Sequence, residues 1–379
     1  MLDLSKRRLR IAVIGLRGIP NVQGGVETHC QELYPRIARY GHKVTIFGRS
    51  GYVPNNDCDF EGVKIRSIPA PRKKSLEAII HTTLAVIAVS AKKSDFDLLH
   101  IHAIGPSLLT PWARLAGLKV VVTNHGPDYD RQKWGRFAKF MLRLGEKLGA
   151  KYSNAIIAVS RHIKVIISEK YGVEAHYIPN GVIIPQHKPA GELLRRYGLS
   201  KKKYLLAVGR LVPEKGFHDL IEAFANMETD WKLVIAGDAD HEDEYSRRLK
   251  GKGRSVPNVV MAGFIKGDAL GELYSSAGLF VLPSYHEGLP LVLLEAMSYE
   301  LPVLVSDIPA NMELAEESET FPLGNVHALK HKVQLRLAKV SEGEDSVLAT
   351  RKKKRLIEEF NWDKIAKDTI KVYQETVNL

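Results

Sequence analysis

Short apolar runs alternate with segments of helical periodicity along almost the whole chain. Five runs in the first half are predicted to be buried parallel strands: Ile11–Gly15, Lys43–Phe47, Leu98–His102, Lys119–Thr123 and Ala155–Ser160. The helical segment Glu27–Tyr40 lies between the first two of these runs. Such an alternation of strand and helix is typical of a doubly wound α/β sheet.

A second set of strands follows Pro179–Gly198, a segment rich in Pro and Gly that we interpret as a linker between domains. The runs of this set are Tyr204–Val208, Lys232–Ala236, Val259–Ala262, Leu279–Pro283 and Pro302–Ser306. The pattern therefore predicts two Rossmann-like domains, 1–185 and 199–350, that face each other across a cleft. The helical segment 351–379 is expected to pack back on the first domain.

Length and cysteine content agree with a cytoplasmic protein of two domains. A chain of 379 residues exceeds what one compact core holds. Cys30 and Cys58 have neither disulfide nor zinc spacing, which fits a reducing compartment. The basic start, Met1 to Arg10, runs directly into a strand, so no signal peptide is expected. The apolar stretch Leu76–Ala91 falls short of the roughly 20 residues of a membrane span and predicts an amphipathic helix.

The formal net charge of +12 requires an explanation by acidic partners or by solubility. No recognition helix and no aromatic RNA-binding motif accompanies this charge, so nucleic acid is not expected as a partner. Seven basic side chains between Arg131 and Lys151 are interleaved with apolar ones that include Trp134, Phe137 and Phe140. On a helix this gives an apolar stripe with basic flanks, which suits an anionic membrane surface. Arg72, Lys73 and Lys74 extend the basic face, and a helix packed on the core is the alternative.

Two glutamates follow the predicted strand Leu279–Pro283. Glu287 lies on the loop that leaves the strand, and Glu295 is expected about two turns into a helix that begins near Pro290. The unpaired N–H groups of a helix start favour an anion, and carboxylates beside it accept hydrogen bonds from sugar or ribose hydroxyls. The alternative is that both are acids that stabilise a helix N-terminus.

Two cations follow another predicted strand of the second domain. Arg210 and Lys215 lie on the loop after Gly209, where a guanidinium and an ammonium suit a diphosphate. A solvated basic loop is the alternative. In the first domain, Gly24 and Gly25 precede a helix and allow the backbone to approach a phosphate closely.

The segment from Glu287 to Glu295 resembles the glutamate-seven-glutamate motif of family 4 glycosyltransferases, including Gly288, Leu291 and Val292 between the two glutamates. The resemblance implies the two-domain GT-B fold and a retaining transfer from a nucleotide sugar. It implies that Glu287 holds hydroxyls of the transferred sugar and that Glu295 binds the donor ribose. Pro290 replaces the commoner glycine and has no N–H, so phosphate contacts would come from Leu291 or Val292.

The resemblance extends along the chain and implies further donor-site residues. Arg210 and Lys215 occupy the positions of the family's donor-phosphate motif, and Gly263 lies where the second domain recognises the base. Gly24, Gly25 and Glu27 resemble the first-domain loop that borders donor phosphate and acceptor. His125 resembles the family's histidine near the reacting carbon. Asn180 lies in a segment that resembles the turn at which the chain enters the cleft. His100, His102, His162 and His286 receive no role.

Metal and cofactor requirements follow from the same motifs. Four Asp-x-Asp strings begin at Asp57, Asp95, Asp128 and Asp238, and none is flanked by further ligands at the spacing of a divalent-cation site. We therefore expect no metal site and no cofactor beyond the nucleotide sugar. Arg210, Lys215 and helix amides would neutralise the leaving diphosphate. No carboxylate can be assigned as a nucleophile, which favours a same-face reaction in which donor phosphate draws the acceptor proton.

The resulting hypothesis is a hexosyl or deoxyhexosyl transferase of polysaccharide biosynthesis. UDP, GDP and dTDP remain open as the nucleotide, and the acceptor is expected to be a lipid-linked saccharide at the inner face of the cell membrane. A sugar-nucleotide epimerase of the same fold is the alternative function. A nicotinamide-dependent oxidoreductase is disfavoured because the first loop lacks the third glycine of the dinucleotide fingerprint.

Overall fold

A computed structural model of the chain describes residues 7–71, 77–130, 135–239, 242–342 and 346–378. It forms two compact units. The first consists of the residues up to Gly181 and those from Trp362 onward, and the second of Val182–Asn361. Of the segment 351–379, only the part from Trp362 thus belongs to the first unit, because one helix ends at Glu359 and the next begins at Trp362.

The strands are numbered in chain order. Those of the first unit are β1 (Arg10–Ile14), β2 (Lys43–Arg49), β3 (Cys58–Phe60), β4 (Val63–Ile68), β5 (Leu98–His102), β6 (Val120–Asn124), β7 (Ala155–Ala158) and β8 (His176–Tyr177). Those of the second unit are β9 (Tyr204–Val208), β10 (Lys232–Ala236), β11 (Val259–Gly263), β12 (Leu279–Leu282), β13 (Val303–Ser306) and β14 (Thr320–Phe321).

The helices are numbered in the same way. They are α1 (Gly25–Arg39), α2 (Glu77–Ala91), α3 (Thr110–Leu115), α4 (Arg136–Tyr152), α5 (Arg161–Tyr171), α6 (Glu192–Tyr197), α7 (Phe217–Ala225), α8 (Glu244–Ser255), α9 (Gly267–Ser276), α10 (Leu291–Ser298), α11 (Pro309–Met312), α12 (Val326–Glu342), α13 (Ser346–Glu359) and α14 (Trp362–Asn378). Among the described residues, no helix is both long and apolar enough to cross a bilayer.

The first unit contains an eight-stranded sheet in the order β3-β4-β2-β1-β5-β6-β7-β8. All neighbouring strands are parallel except β3 and β4. Its central strands β1, β5 and β6 are almost wholly buried, as their continuous apolar sequences predict. Because β5 lies between β1 and β6, the loops that leave these three strands meet at one edge of the sheet.

The second unit contains a six-stranded parallel sheet in the order β11-β10-β9-β12-β13-β14. Strands β9 and β12 are neighbours, so the loops that begin at Gly209 and at Pro283 emerge side by side. The segment interpreted as a linker is partly structured, because it contains α6. The Glu272 carboxylate of α9 accepts hydrogen bonds from the amides of Gly191 and Leu194, which stabilises the start of α6.

Strands β3, β4, β8 and β14 were not predicted from the sequence. β8 and β14 contain two residues each, too few for a periodic pattern. β4 alternates buried Val63 and Ile65 with the more exposed Lys64 and Arg66, the pattern of a strand near a sheet edge. Long apolar runs therefore located the sheet interiors, whereas the edges carried a weaker signal.

Candidate active site

One of the two cations, Lys215, meets the first glutamate of the second unit, Glu287, at the carboxyl ends of β9 and β12. Nζ of Lys215 lies 2.5 Å from Oε1 of Glu287, and the Ser284 hydroxyl donates to the same oxygen at 2.7 Å. Arg210 is half-buried on the Lys215 loop. Both described contacts of Glu287 fall on Oε1, so its Oε2 is the oxygen available to a ligand hydroxyl.

The charge state of Glu287 follows from these contacts. Burial opposes ionisation of its carboxyl group, since only 11% of the side chain is exposed. The nearby ammonium of Lys215 and the hydrogen bonds from Lys215 and Ser284 outweigh this effect, and the pKa of Glu287 is lowered. Glu287 is therefore an acceptor for hydrogen bonds at neutral pH and is unsuited to act as a general acid.

A glycine holds the Lys215 loop against the end of β12. Gly216 has a φ of +66°, and a Cβ built on it would lie 2.0 Å from the carbonyl oxygen of Pro283. Next to this contact the amide of Tyr285 donates to the carbonyl of Glu214 at 2.8 Å. The close approach of the two backbones is what places the Lys215 ammonium on the Glu287 carboxylate.

Glu295 lies on α10, which begins at Leu291 with Pro290 as its N-cap. It is the fifth residue of the helix, only a little over one turn from its start and not two turns as expected. Its Oε2 accepts a hydrogen bond from the buried Tyr274 hydroxyl at 3.0 Å. The first intrahelical bond runs from the amide of Leu293 to Pro290, so the amides of Leu291 and Val292 point beyond the helix start.

Two more predicted residues of the second unit lie on its loops. Gly263 ends β11 with a φ of +74°, and a Cβ built on it would meet nothing within 4 Å. Its carbonyl accepts from the amide of Gly237, which joins the ends of β10 and β11. Gly288 follows Glu287 directly and is half-buried.

In the first unit, the glycine loop is organised by an ion pair. Oε1 of Glu27 accepts hydrogen bonds from the backbone amide of Arg17 at 3.1 Å and from its Nε at 3.0 Å. A Cβ on Gly24 would lie 2.1 Å from Oε2 of Glu27, so the loop passes directly over this carboxylate. Gly25 is exposed at the start of α1. Glu27 is therefore largely occupied in shaping the loop.

His125 lies at the edge of a buried histidine cluster that the sequence did not reveal. Its Nε2 is 2.9 Å from Nδ1 of His102, whose ring stacks on that of His100 at a centroid distance of 4.2 Å. The rings of His29 and His125 pack edge to face at 5.0 Å. Burial lowers the pKa of His29 to about 4 and that of His100 to about 3, so both rings are neutral at pH 7.

Asn180 belongs to the same cluster. Its Oδ1 lies 2.9 Å from Nδ1 of His29, so His29 donates this hydrogen bond. His29 also packs edge to face on Trp362, the first residue of α14. The sequence signal for the cluster was weak. His29 lies on a helix and His102 at a strand end, and only the order of the strands brings these positions together.

The histidines are the one described group with the ligand types and spacing of a metal site. One nitrogen of each of His29, His102 and His125 lies within 4.8 Å of the others. A metal ion would need lone pairs on both His102 and His125, whereas their 2.9 Å contact is a hydrogen bond that requires one of these nitrogens to carry a proton. The expectation that the protein has no metal site stays a prediction.

Three of the four Asp-x-Asp strings are engaged with cations. Asp57 pairs with Lys64 and Arg66, Asp97 with Arg10, and Asp238 with Lys250. Asp240 lies outside the described residues. In these strings the paired carboxylates therefore have structural partners of opposite charge.

Comparison with known families connects both units to one enzyme class. The model described as Glycosyltransferase Family 4 matches residues 23–184, and the model described as Glycosyl transferases group 1 matches residues 192–339. Together the matches include every residue that the sequence placed in the site. The chain is a glycosyltransferase with a Family 4 domain followed by a group 1 domain.

Individual relatives agree with this assignment. An uncharacterised glycosyltransferase of Methanocaldococcus jannaschii is 26% identical to this glycosyltransferase over 97% of this chain and 98% of its own length. An Escherichia coli enzyme, UDP-Gal:alpha-D-GlcNAc-diphosphoundecaprenol alpha-1,3-galactosyltransferase, is 31% identical over 58% of this chain and 60% of its own length.

Solved structures show the same fold. Sucrose-phosphate synthase from Thermosynechococcus elongatus superimposes with a TM-score of 0.82 at 22% identity, covering 97% of this chain and 99% of its own. Anabaena HepE, solved with UDP and glucose, has a TM-score of 0.78 at 17% identity and covers 97% of this chain and 100% of its own. The predicted GT-B class and the predicted transferase activity are confirmed.

Proposed function

We propose that this glycosyltransferase moves a hexosyl or deoxyhexosyl group from a nucleotide sugar to a lipid-linked saccharide. The observation that carries the proposal is the meeting of Lys215, Glu287 and Ser284 at the strand ends of the second unit. A cation for phosphate and a carboxylate oxygen for a sugar hydroxyl lie side by side there. The E. coli relative is named for UDP-Gal, and HepE was solved with UDP, which makes UDP the first nucleotide to test.

Each site residue has a proposed role in donor binding. Arg210 and Lys215 take the diphosphate, with the outward amides of Leu291 and Val292 as further donors. Oε2 of Glu287 accepts from a hydroxyl of the transferred sugar, and Glu295 accepts from the ribose. The end of β11 at Gly263 is assigned to the base, because there is open space at this position. In the first unit, the Gly24–Gly25 turn with Glu27 and the pair His125 and Asn180 are assigned to the reacting sugar and the acceptor.

The proposed reaction retains the configuration of the anomeric carbon and needs no metal. Departure of the diphosphate develops negative charge, and the two cations of the Arg210 loop can stabilise it without a divalent ion. Since the contacts of Glu287 with Lys215 and Ser284 suit a binding role, no covalent glycosyl intermediate is assigned to it. The acceptor hydroxyl then attacks on the face that the donor phosphate leaves, and that phosphate takes its proton.

An anionic membrane surface is the proposed location of the acceptor, on the cytoplasmic side. Helix α4 packs on its neighbours through glycine, because a Cβ on Gly145 would lie 2.2 Å from the carbonyl oxygen of Ile104. Phe137 and Phe140 are left 77% and 59% exposed, and the exposed basic side chain of Arg136 lies next to them on the helix. Exposed aromatic rings with basic flanks fit a headgroup region better than open water. Other residues of the predicted face lie outside the described residues, namely Arg72, Lys73, Lys74, Arg131, Lys133 and Trp134.

Calorimetry with a panel of nucleoside diphosphates and nucleotide sugars, in excess chelator, tests the donor site. Wild type, Glu295→Gln and the control Glu222→Gln are compared, since Glu222 pairs only with exposed Lys252 among the described residues. We expect one nucleotide family to bind wild type and the control, and Glu295→Gln to bind it at least tenfold more weakly, about the loss of one charged hydrogen bond. Binding of no nucleotide by folded wild type would remove the proposal.

Three further measurements test the reaction and its location. Product NMR gives the anomeric configuration, and inversion would contradict the same-face reaction. Activity that appears only with added Mg²⁺ or Mn²⁺ would contradict metal independence. Flotation with anionic vesicles compares wild type with Phe137→Ser/Phe140→Ser and with Leu335→Ser, which alters a half-exposed leucine of the other unit. Loss of vesicle binding in the double variant alone is expected, and equal binding of all three proteins would refute the membrane surface.

A further inference from the structure

A continuous series of hydrogen bonds links His125 to the interior of the first unit. Nδ1 of His102 lies 2.9 Å from Nε2 of His125, and Nε2 of His102 lies 2.5 Å from the Tyr34 hydroxyl. The same hydroxyl is 2.9 Å from Nδ1 of His100, which is itself 2.6 Å from the Tyr373 hydroxyl. The other four side chains are fully buried, whereas His125 is partly exposed. The series therefore ends at the surface where a substrate can reach it.

Proton counting makes these contacts interdependent. A neutral imidazole has one N–H and one ring lone pair, so the role of one nitrogen determines the role of the other. Burial and the neighbouring histidines lower the pKa of His102 and of His125 well below the ordinary value, and both rings are neutral at pH 7. One of the two must donate across their 2.9 Å contact and the other must accept. The partner of His102 Nε2 thus decides which nitrogen of His125 carries the proton.

That partner is the hydroxyl of Tyr34, whose single proton has three neighbours: His102, His100 and the Tyr373 hydroxyl. The Tyr373 hydroxyl already lies 2.6 Å from Nδ1 of His100, a nitrogen with only one in-plane lone pair. The contact of Tyr34 with His102 is also the shorter of its two, at 2.5 Å against 2.9 Å. A contact of 2.5 Å lies in the range of an O–H donor and below that of an N–H donor, which directs the Tyr34 proton to Nε2 of His102. His102 then has its proton on Nδ1 and donates to Nε2 of His125.

We infer that Tyr34 and His102 are positioning residues that hold His125 in the tautomer protonated on Nδ1. His125 then offers a substrate oxygen an N–H donor and not a lone pair, which suits a sugar hydroxyl or a phosphate oxygen. Nδ1 of His125 has no hydrogen-bond partner among the described residues, so this donor is available to a ligand. The inference rests on the proposed role of His125 in binding the reacting sugar. The tautomer itself does not depend on that role.

The test is ¹⁵N NMR of the protein labelled at histidine, since protonated and unprotonated ring nitrogens resonate far apart. Wild type is compared with Tyr34→Phe and with Tyr204→Phe, a control that removes an equally buried hydroxyl whose hydrogen bond goes to the Leu273 carbonyl. His102→Gln and His125→Gln assign the resonances. In wild type and the control we expect protonated Nδ1 on both rings. In Tyr34→Phe we expect both nitrogens of His102 and His125 to move toward averaged positions.

Kinetics supply the second readout. Tyr34→Phe is expected to lower kcat about tenfold with little change in the KM for donor, the effect of one misplaced hydrogen bond at the reacting sugar. A proton on Nε2 of His125 in wild type would overturn the inference, and so would an unchanged spectrum in Tyr34→Phe. The wild-type spectrum decides the first point even if the variant fails to fold. Absence of sugar transfer by wild type would remove the proposed function and leave the NMR test intact, because that test needs no substrate.

Discussion

Replacement of Gly216 by alanine tests how the Lys215 loop is held against β12. The backbone at Gly216 has a φ of +66°, and a Cβ there would lie 2.0 Å from the Pro283 carbonyl oxygen, whereas ordinary contacts begin at 3.4 Å. The obstructing atom belongs to the backbone, so it cannot rotate away as a side chain would. Either the loop or the end of β12 must shift by more than 1 Å, which is about the difference between these distances.

The magnitude has two parts that a control can separate. A residue with a side chain in the left-handed region costs about 1–2 kcal/mol. Overpacking against fixed atoms costs about 1–3 kcal/mol more. Gly267 of the same unit has a φ of +59° with nothing within 4 Å of its Cβ position, so Gly267→Ala incurs only the first part. We expect Gly216→Ala to lose about 2–5 kcal/mol of stability and Gly267→Ala about 1–2 kcal/mol.

Guanidinium unfolding followed by circular dichroism measures the stability difference, and calorimetry with the bound nucleotide measures the effect on the site. A displaced loop separates Lys215 from Glu287, now 2.5 Å apart, so Gly216→Ala should bind donor at least tenfold more weakly. Gly267→Ala should bind as wild type does. Equal destabilisation of the two variants would show that the contact with Pro283 is absent in solution. Unchanged donor binding in Gly216→Ala would show that this contact does not position Lys215.

Three further predictions follow from single residues. Lys215→Met removes the cation that lowers the pKa of Glu287 and leaves the burial that raises it, so the loss of stability that Glu287 causes in wild type as pH falls below the ordinary carboxyl range should shrink or reverse, as measured by unfolding between about pH 3 and 6. Burial lowers the pKa of His81 to about 4, so between pH 6.5 and pH 4 the unfolded state binds a proton that the folded state does not, and the free energy of unfolding should fall as pH falls through this range. His81→Leu should flatten that slope, and an unchanged slope would contradict the burial of His81. Gly145→Ala should destabilise the protein by about 1–3 kcal/mol in thermal unfolding, since its Cβ would lie 2.2 Å from a carbonyl oxygen. Its control Gly251→Ala lies on α8 with open space at the Cβ position, and should stabilise the protein by roughly 0.5–1 kcal/mol in the same assay.

The strand interiors could be predicted from the sequence because burial on both faces leaves a continuous apolar run. Leu98–His102, Tyr204–Val208 and Lys232–Ala236 have the predicted bounds. The division of the C-terminal segment could not be predicted, since Ser346–Glu359 and Trp362–Asn378 have similar helical patterns but belong to different units. Helical periodicity shows that a face is buried and does not show what it is buried against.

Site chemistry was predictable where the participating residues are close in sequence. The loop with Arg210 and Lys215 and the segment from Glu287 to Glu295 are each continuous, so residue type and spacing located them. Their direct contact, Lys215 on Glu287, joins positions 72 residues apart. It depends on the adjacency of β9 and β12, which the local pattern does not contain.

By itself, the sequence determined the succession of strands and helices, the two-domain GT-B class, and the residues that resemble the donor site of family 4 glycosyltransferases. Tertiary structure alone decided the environment of His125. The order of strands in the sheet brings His29 of α1 and His102 of β5 against His125, and it brings Tyr34 of α1 against His102. It also decided that Glu27 forms an ion pair with Arg17, and that α4 packs on its neighbours through Gly145 while Phe137 and Phe140 stay exposed. Local periodicity reflects whether a residue is buried, whereas hydrogen-bond partners depend on long-range contacts that form only when the sheet assembles.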